Sequence, residues 1–382
     1  MMTSVLEGAP LEGIRVIEVT HMLAGPYSGM LLADLGAEVI KIETPEGDLA
    51  RQIGTRYVGE QNIYFASMNR NKKSICLDLA SDEGKKTLHA LVNESHVLIS
   101  NLRPAAIKKL GLTYDHLKTH NDNIVCLAIT GYGLDGPYAD KPAYDYVIQA
   151  LAGVIALTGE PDGPPVKCGY SVADNITANM GSLGVLAKII QGKGGQIDLA
   201  LYDTLLSHMN YLAADYLNGG EEPKRYPGGG HPYMVPAQLF PTKEGHIAIL
   251  ISHDRFWRKF AIATGQQRWL EDERFATAAA RLENRELVID AIAALFQTQT
   301  AAHWVELLDA AGVVIAGVQT LGQSLDSELT AAREMVIEVP TPDGTMRFVG
   351  NPLKMSGWRT PREKAPSLGE HTEEICNKFT RA

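Results

Sequence analysis

Cysteine is scarce in this chain, and its few residues lie far apart. The four cysteines are Cys76, Cys126, Cys168 and Cys376, and no two of them have C-x-x-C spacing. This spacing excludes a disulfide framework and a zinc site built on paired cysteines, and it is typical of reduced thiols in the cytosol. We therefore predict a cytoplasmic protein.

The chain also lacks an excess of positive charge and long apolar runs. Lys and Arg number 35 against 45 Asp and Glu, which gives a formal net charge of −10. Nucleic acids and anionic membranes bind clustered Lys and Arg, so we expect neither as a partner. The first ten residues have no signal-peptide pattern, and no apolar run is long enough to cross a bilayer. An anionic ligand would need a local basic cluster.

Two short motifs that could indicate a cofactor do not fit their surroundings. Residues 131–136 match G-x-G-x-x-G, but Pro137 and Tyr138 follow where a dinucleotide-binding fold needs a helix to begin. His116 and His120 are four residues apart, yet no glutamate follows His116 and no third ligand is evident. We predict neither a redox cofactor nor a bound metal.

Strand and helix patterns alternate along the first half of the chain. β-Branched and apolar runs predict strands at residues 14–20, 38–43, 74–79, 96–102 and 123–130, with helices between them at 82–93 and 105–110. This alternation predicts an α/β fold with a mostly parallel, Rossmann-like sheet. Ligands bind beyond the carboxyl ends of such strands, so loops 21–26, 101–104 and 131–138 should share one rim.

The chain is long enough for two domains. A Gly- and Pro-rich stretch at residues 218–232 separates the alternating first half from shorter strands and amphipathic helices. We predict a large α/β domain over residues 1–220, a smaller α+β domain over residues 221–330, and a C-terminal segment over residues 331–382.

A carboxylate, Asp174, stands where a polar stretch gives way to helical spacing. Ile176, Met180 and Leu183 recur on one helical face after it, which predicts a helix that begins near Asp174 and ends near residue 191. Aspartate is a preferred N-cap, so this stretch alone leaves a capping role and a catalytic role both open.

Basic residues are locally dense near the early strands, although the chain is acidic. They could form a phosphate-binding edge or be ordinary solvated surface charges, and both interpretations stay open. The cluster comprises Arg51, Arg70, Lys72, Lys73, Arg103, Lys108 and Lys109.

Motifs along nearly the whole chain resemble the class III CoA-transferase family, which also contains the α-methylacyl-CoA racemases. They include L-E-G-I-R-V-I-E-V-T-H-M-L-A-G-P, L-A-D-L-G-A-E-V-I-K-I-E, I-T-G-Y-G-L-D-G-P-Y and A-P-S-L-G-E-H-T. Their order and spacing make the resemblance specific. It implies that the C-terminal segment returns to the large domain and that two chains interlock as a homodimer.

The resemblance also implies site residues. Asp174 occupies the position of the nucleophile, and Gly229 and Gly230 belong to a glycine-rich loop whose amides could stabilise an oxyanion. Tyr144 and Asp145 either orient the substrate or simply begin a helix. Leu23 stands where some members of the family carry Gln. The implied CoA-binding residues are His21, Ala24, Arg51, Lys72, Lys73, Leu77, Asn101, Leu102, Ala106 and Lys109.

The implied activity is CoA transfer from an acyl-CoA, with succinyl-CoA as the expected donor, to a small carboxylic acid. No tightly bound cofactor is implied, because coenzyme A is itself a substrate. One alternative is a 2-methylacyl-CoA racemase, which is disfavoured because Tyr144 stands where racemases carry His in a G-H-D segment. The other alternative is a CoA-binding homologue without catalytic activity.

Overall fold

A computed structural model describes residues 8–380 of the chain, which divide into two compact units. The first unit contains the chain up to Ala152, then Gly169–Ala213, and then the chain from Glu328 onward. The second contains Gly153–Cys168 and Ala214–Ser327. Residues 1–7, on which the signal-peptide prediction partly rests, lie outside the described residues.

The strands are numbered in chain order. They are β1 Arg15–Val19, β2 Glu38–Glu43, β3 Tyr57–Val58, β4 Gln61–Asn62, β5 Lys72–Cys76, β6 Val97–Ser100, β7 Val125–Thr130, β8 Gly195–Ala200, β9 Ala237–Pro241, β10 His246–Leu250, β11 Val314–Gly317, β12 Val336–Thr341 and β13 Gly344–Val349.

The helices follow the same convention. Those of the first half are α1 Ala24–Asp34, α2 Ile63–Asn69, α3 Asp82–Asn93, α4 Pro104–Lys109, α5 Tyr114–Leu117, α6 Asp145–Leu151, α7 Val154–Leu157, α8 Val172–Gln191 and α9 Leu201–His208. Those of the second half are α10 Asn210–Gly219, α11 Asp254–Ala263, α12 Ala278–Glu283, α13 Arg285–Phe296, α14 Ala301–Ala310, α15 Leu321–Leu325, α16 Glu328–Ala332 and α17 Thr372–Thr380.

A six-stranded parallel sheet forms the centre of the first unit, in the order β5-β2-β1-β6-β7-β8. Strand β1 pairs with β2 on one side and with β6 on the other, so that Val16 lies opposite both Val39 and Val97. The strands run outward from β1 in both directions, which is the doubly wound Rossmann order. The predicted fold class is confirmed. The order reverses between β1 and β6, where the loops diverge and leave a crevice.

Helix α8 packs against α1 beside the sheet. Small side chains make this close contact: Gly181 faces Leu127 and Ile129 of β7, and the hydroxyl of Ser182 lies 3.1 Å from that of Ser28. The apolar residues that predicted this helix do not form its buried face, since Leu183 is 58% exposed. Small residues are buried instead because they let the two helices approach closely.

The second unit has its own core. Strands β9, β10 and β11 form a three-stranded antiparallel sheet, and a cluster of aromatic side chains that includes Trp257, Phe260 and Trp269 is buried with it. Residues Gly153–Cys168 belong to this unit, although the sequence analysis assigned them to the large domain. Hydrogen bonds from Arg225 to the carbonyl of Gly163 and from the Gly228 amide to Glu160 hold them there.

The C-terminal segment lies in the first unit. Helix α17 packs against α3 and β5, and the amide of His371 donates to the carbonyl of Ser74. Helices α9 and α10 follow each other closely and are separated at Asn210, which adopts a positive φ of 23°. Among the described helices, none combines the length and apolar character needed to cross a membrane.

Candidate active site

A pocket of about 340 Å³ opens at the carboxyl ends of β1, β6 and β7, where the strand order reverses. The turn after β1, the loop after β6, and Gly131 after β7 line it together. The predicted common rim is confirmed for the first two loops, whereas the third contributes its first residue. The remaining walls include Tyr64, Tyr144, Asp145, Ser171 and Asp174.

Asp174 lies in the first turn of α8 and lines this pocket. The N-cap position belongs to Ser171, and within residues 8–380 no backbone amide donates a hydrogen bond to the Asp174 carboxylate. The capping interpretation of Asp174 is therefore wrong. Burial, together with the nearby charge of Asp145, raises the pKa of Asp174 to about 7.

Asp145 is the residue that caps α8. Its carboxylate is buried; Oδ1 accepts the amide hydrogen of Ala173 at 2.8 Å, and Oδ2 accepts from Gln149 at 2.6 Å. Gly131, after β7, allows the segment that leads into Asp145 to pack closely, because a Cβ on Gly131 would lie 2.2 Å from the side chain of Ala143. Asp145 is thus bound to the protein through both oxygens, while Tyr144 beside it is 63% exposed and faces the pocket.

The turn after β1 is joined to the loop after β6 by a pair of amide hydrogen bonds. The backbone N–H of His21 donates to Oδ1 of Asn101 at 2.9 Å, and Nδ2 of Asn101 donates to the carbonyl of His21 at 2.8 Å. Gly25 lets α1 begin here, since a Cβ would lie 2.9 Å from the side chain of Asn101. Burial lowers the pKa of His21, which favours the neutral imidazole.

A second pocket, of about 410 Å³, shares His21 and Leu102 with the first. Its other walls include Leu77, Asp78 and Ala80 after β5. The residues singled out by the resemblance that line one or both of the pockets are His21, Ala24, Leu77, Asn101, Leu102, Tyr144, Asp145 and the nucleophile candidate Asp174. Ala106 and Lys109 lie on α4, which begins at the pocket rim with Pro104.

Three of the four basic residues that the resemblance implies for CoA binding form ion pairs. Lys72 has a side-chain exposure of 0%, and its ammonium lies 2.7 Å from Glu18, so it cannot reach a ligand phosphate. Lys73 lies 2.9 Å from Glu38, and Arg51 lies 2.7 Å from a carboxylate on β2. The assignment of Lys72 to the CoA surface is corrected by its burial.

Other cations face the pocket. Arg103 and Lys141 both line it, and neither forms an ion pair with any residue that the structure describes. Lys141 stands 3.5 Å above the ring of Tyr138. The sequence analysis missed Lys141 and Tyr64 as pocket residues. Lys141 lies three residues before Tyr144, which the comparison with the racemases had already singled out. This closeness in sequence could have indicated that Lys141 also lines the pocket.

Gly229 and Gly230 belong to the second unit; Gly229 ends a 3-10 turn at Pro227–Gly229, and Gly230 follows it. Their amides donate to the carbonyls of Tyr226 at 3.1 Å and Pro227 at 3.2 Å. Gly229 has a φ of 64°, and nothing lies within 4 Å of the place where its Cβ would be. In this conformation both amides are engaged within the turn, and their oxyanion role stays a prediction.

The sheet is doubly wound, and a desolvated carboxylate lies where its strand order reverses. These features define an α/β protein whose ligand site lies in the crevice beyond the carboxyl ends of the strands. Comparison with known families assigns it further. Residues 11–372 match the model of CoA-transferase family III, and the chain belongs to that family. The sequence-based resemblance is confirmed, and the protein is an enzyme of the CoA-transferase type.

Individual relatives cover almost the whole chain. Acetyl-CoA:oxalate CoA-transferase of Acetobacter aceti is 33% identical over 97% of this chain and 96% of its own length. Succinate–glutarate CoA-transferase of Agrobacterium fabrum is 34% identical over 96% of this chain and 94% of its own. A CAIB/BAIF family protein from Brucella suis, solved by crystallography, is 34% identical, with a TM-score of 0.85 over 97% of this chain and 99% of that one.

Proposed function

We propose that this enzyme moves CoA from an acyl-CoA to a small carboxylic acid through covalent intermediates on Asp174. The observation that carries the proposal is the state of the carboxylate: it lines the pocket, it is desolvated, and its pKa is about 7. A poorly solvated carboxylate held near a thioester carbonyl is a competent nucleophile.

The reaction would proceed in four balanced steps. An oxygen of Asp174 attacks the thioester carbonyl, the C–S bond breaks, and CoA thiolate leaves a mixed anhydride behind. The thiolate attacks the aspartyl carbonyl, releases the first acid as a carboxylate, and forms an aspartyl-CoA thioester. The acceptor carboxylate then displaces the thiolate to give a second anhydride. Attack of the thiolate on the acceptor's acyl carbon restores Asp174.

The two adjoining pockets are our proposed site for CoA. The thiol end would lie in the pocket of Asp174 and Ala24, and the rest of CoA would pass His21 and Leu102 toward Leu77. For the phosphates we propose Arg103 and Lys109, because Lys72 is buried and Arg51 and Lys73 already have carboxylate partners.

For the acceptor we propose a small dicarboxylate, with succinyl-CoA as the donor. Relatives are named for oxalate, glutarate and D-citramalate, each of which carries two carboxylates. A dicarboxylate bound with one end at Asp174 needs a cation for the other end. Lys141 lines the same pocket and has no ion-pair partner among the described residues, which supports it in this role.

The homodimer also belongs to the proposal, as do the roles of Gly229, Gly230 and Tyr144. Exposed apolar side chains along α8, including Leu183 and Ile190, support an association of two chains. Light scattering that gives the mass of one chain at micromolar concentration would remove the dimer from the proposal. The cytoplasmic location stays a prediction.

Trapping with hydroxylamine tests the nucleophile. Protein mixed with succinyl-CoA and then hydroxylamine should carry one hydroxamate, confined by peptide mapping to the fragment that contains Asp174. Asp174→Asn should give none, and Asp145→Asn, which alters the neighbouring carboxylate, should still give the adduct. Absence of an adduct in an enzyme that turns over would exclude the covalent route.

A further inference from the structure

Four charged side chains of alternating sign are buried beneath the turn after β1. They are Glu18 on β1, Lys41 on β2, Asp48 after β2, and Lys72 on β5, and each side chain is 0% exposed. The ammonium of Lys41 lies 3.2 Å from Glu18 and 2.9 Å from Asp48. Buried ion pairs carry a large desolvation cost and add little stability over apolar residues, so this cluster calls for another role.

Three members of the cluster bind the backbone of one turn. Nζ of Lys41 donates to the carbonyl of Thr20 at 2.9 Å, and Nζ of Lys72 donates to the carbonyl of Pro26 at 2.7 Å. Between these points, Oδ1 of Asp48 accepts the amide hydrogen of Met22 at 3.0 Å. Residues 20–26 are therefore held at both ends and in the middle, and residues 21–24 of this turn line the pocket of Asp174.

Met22 has a left-handed backbone, with a φ of 66°. A side chain with a Cβ pays for this conformation in steric strain, and such residues persist only where surrounding contacts hold them. The Asp48 carboxylate supplies that contact, because it accepts the Met22 amide while Lys41 fixes its other oxygen. On the N-terminal side, His21 is already fixed to Asn101.

We propose that Asp48, oriented by Lys41, is a positioning residue for CoA binding. It holds Met22 in the left-handed conformation and thereby keeps the wall at residues 21–24 in the shape that accepts the ligand. The inference rests on the proposed function, since it assumes that CoA occupies this pocket. It follows that a glycine at Met22, which adopts this φ without strain, should make the Asp48 contact dispensable.

Asp48→Asn tests the idea with little change in volume. The new amide would bring an N–H group against the Lys41 ammonium, 2.9 Å away, or turn and lose the Met22 amide. Calorimetric titration should give a Kd for CoA raised about tenfold, with kcat at saturating substrate changed far less. The double variant Asp48→Asn with Met22→Gly should recover most of the affinity.

A matched control separates local relief from general stabilisation. Glu334 also has a positive φ, 48°, and it is exposed and outside the cluster. The double variant Asp48→Asn with Glu334→Gly relieves backbone strain at a site remote from the turn after β1. Its Kd for CoA should therefore stay at the value of Asp48→Asn alone. An unchanged Kd in Asp48→Asn, or equal recovery in both double variants, would overturn the proposal.

Hydrogen exchange gives a readout that needs no ligand. Mass spectrometry of the peptide spanning residues 20–26 should show faster amide exchange in Asp48→Asn and restored protection in the variant that also carries Met22→Gly. If the wild type bound no CoA, the proposed function would fail, while exchange would still decide whether Asp48 holds the turn. Unchanged exchange in Asp48→Asn would refute the positioning role.

Discussion

Replacing Asp174 with asparagine should stabilise the protein at alkaline pH while it abolishes CoA transfer. The native fold holds this carboxylate in a desolvated pocket, where its pKa is about 7 instead of the ordinary 3.8. A raised carboxyl pKa means that the folded state binds the proton more tightly than the unfolded state. Ionised Asp174 therefore weakens the fold, and the neutral asparagine amide removes that penalty.

The size and pH range of the effect follow from the two pKa values. Below about pH 4 the carboxyl is protonated in both states, so the variant and the wild type should be equally stable. Between about pH 4 and 7 the penalty grows, and above 7 it is complete. A difference of about three pKa units corresponds to roughly 4 kcal/mol at most. With an unfolding entropy of about 2.1 cal/mol/K per residue, this is roughly 5 °C in Tm for the whole chain.

Differential scanning calorimetry from pH 4 to 8.5 measures this directly. The Tm difference between Asp174→Asn and wild type should be near zero at pH 4 and reach its plateau near pH 8. Asp203→Asn, a carboxylate in the first turn of α9 for which no such burial applies, is the control and should show no such trend. A variant with a pH-independent Tm difference would refute the desolvated carboxylate, whatever its activity.

Three further changes test the surroundings of the site. Asp145→Asn keeps an oxygen to cap α8 but removes a negative charge, so the acidic limb of the rate–pH profile, assigned to Asp174, should move to lower pH. Lys72→Met leaves the buried cluster of Glu18, Lys41 and Asp48 with one uncompensated negative charge and should cost about 3–5 kcal/mol in urea unfolding. Lys73→Met, at a pair in which each side chain is about one-third exposed, should cost less than about 1 kcal/mol. Arg103→Gln should raise the KM for acyl-CoA several-fold, more at low salt than at high salt, with kcat nearly unchanged.

Local patterns were enough to predict much of the sheet and the position of the site. Buried, β-branched runs mark the parallel strands, and the predicted helix over residues 82–93 coincides with α3. The rule that ligands bind at the carboxyl ends of parallel strands was enough to predict that His21 and Asn101 lie at one rim. These successes share a cause, because each depends on neighbours within a few residues or on the handedness of βαβ units.

The failures involve partners that are remote in sequence. Lys72 and Lys73 are adjacent and look alike in the sequence, but opposite faces of β5 place one against Glu18 and the other near solvent. The buried face of α8 is set by how closely α1 approaches, so small residues such as Gly181 outweigh larger apolar ones. Neither result can be obtained from periodicity, because the deciding contact lies on another element.

Two carboxylates meet near the start of α8, Asp174 in its first turn and Asp145 from the start of α6, and their hydrogen bonds differ. Asp145 is buried and accepts the amide of Ala173 and the side chain of Gln149, so its charge is already compensated by donors. Asp174 lacks such donors among the described residues and faces the pocket, and the charge of Asp145 adds to the cost of ionising it. Two neighbouring carboxylates in unlike environments usually have different pKa values and take different roles. The sequence left a capping and a catalytic role open for Asp174; the hydrogen bonds give the capping role to Asp145, and Asp174 is the carboxylate for which we propose the nucleophilic role.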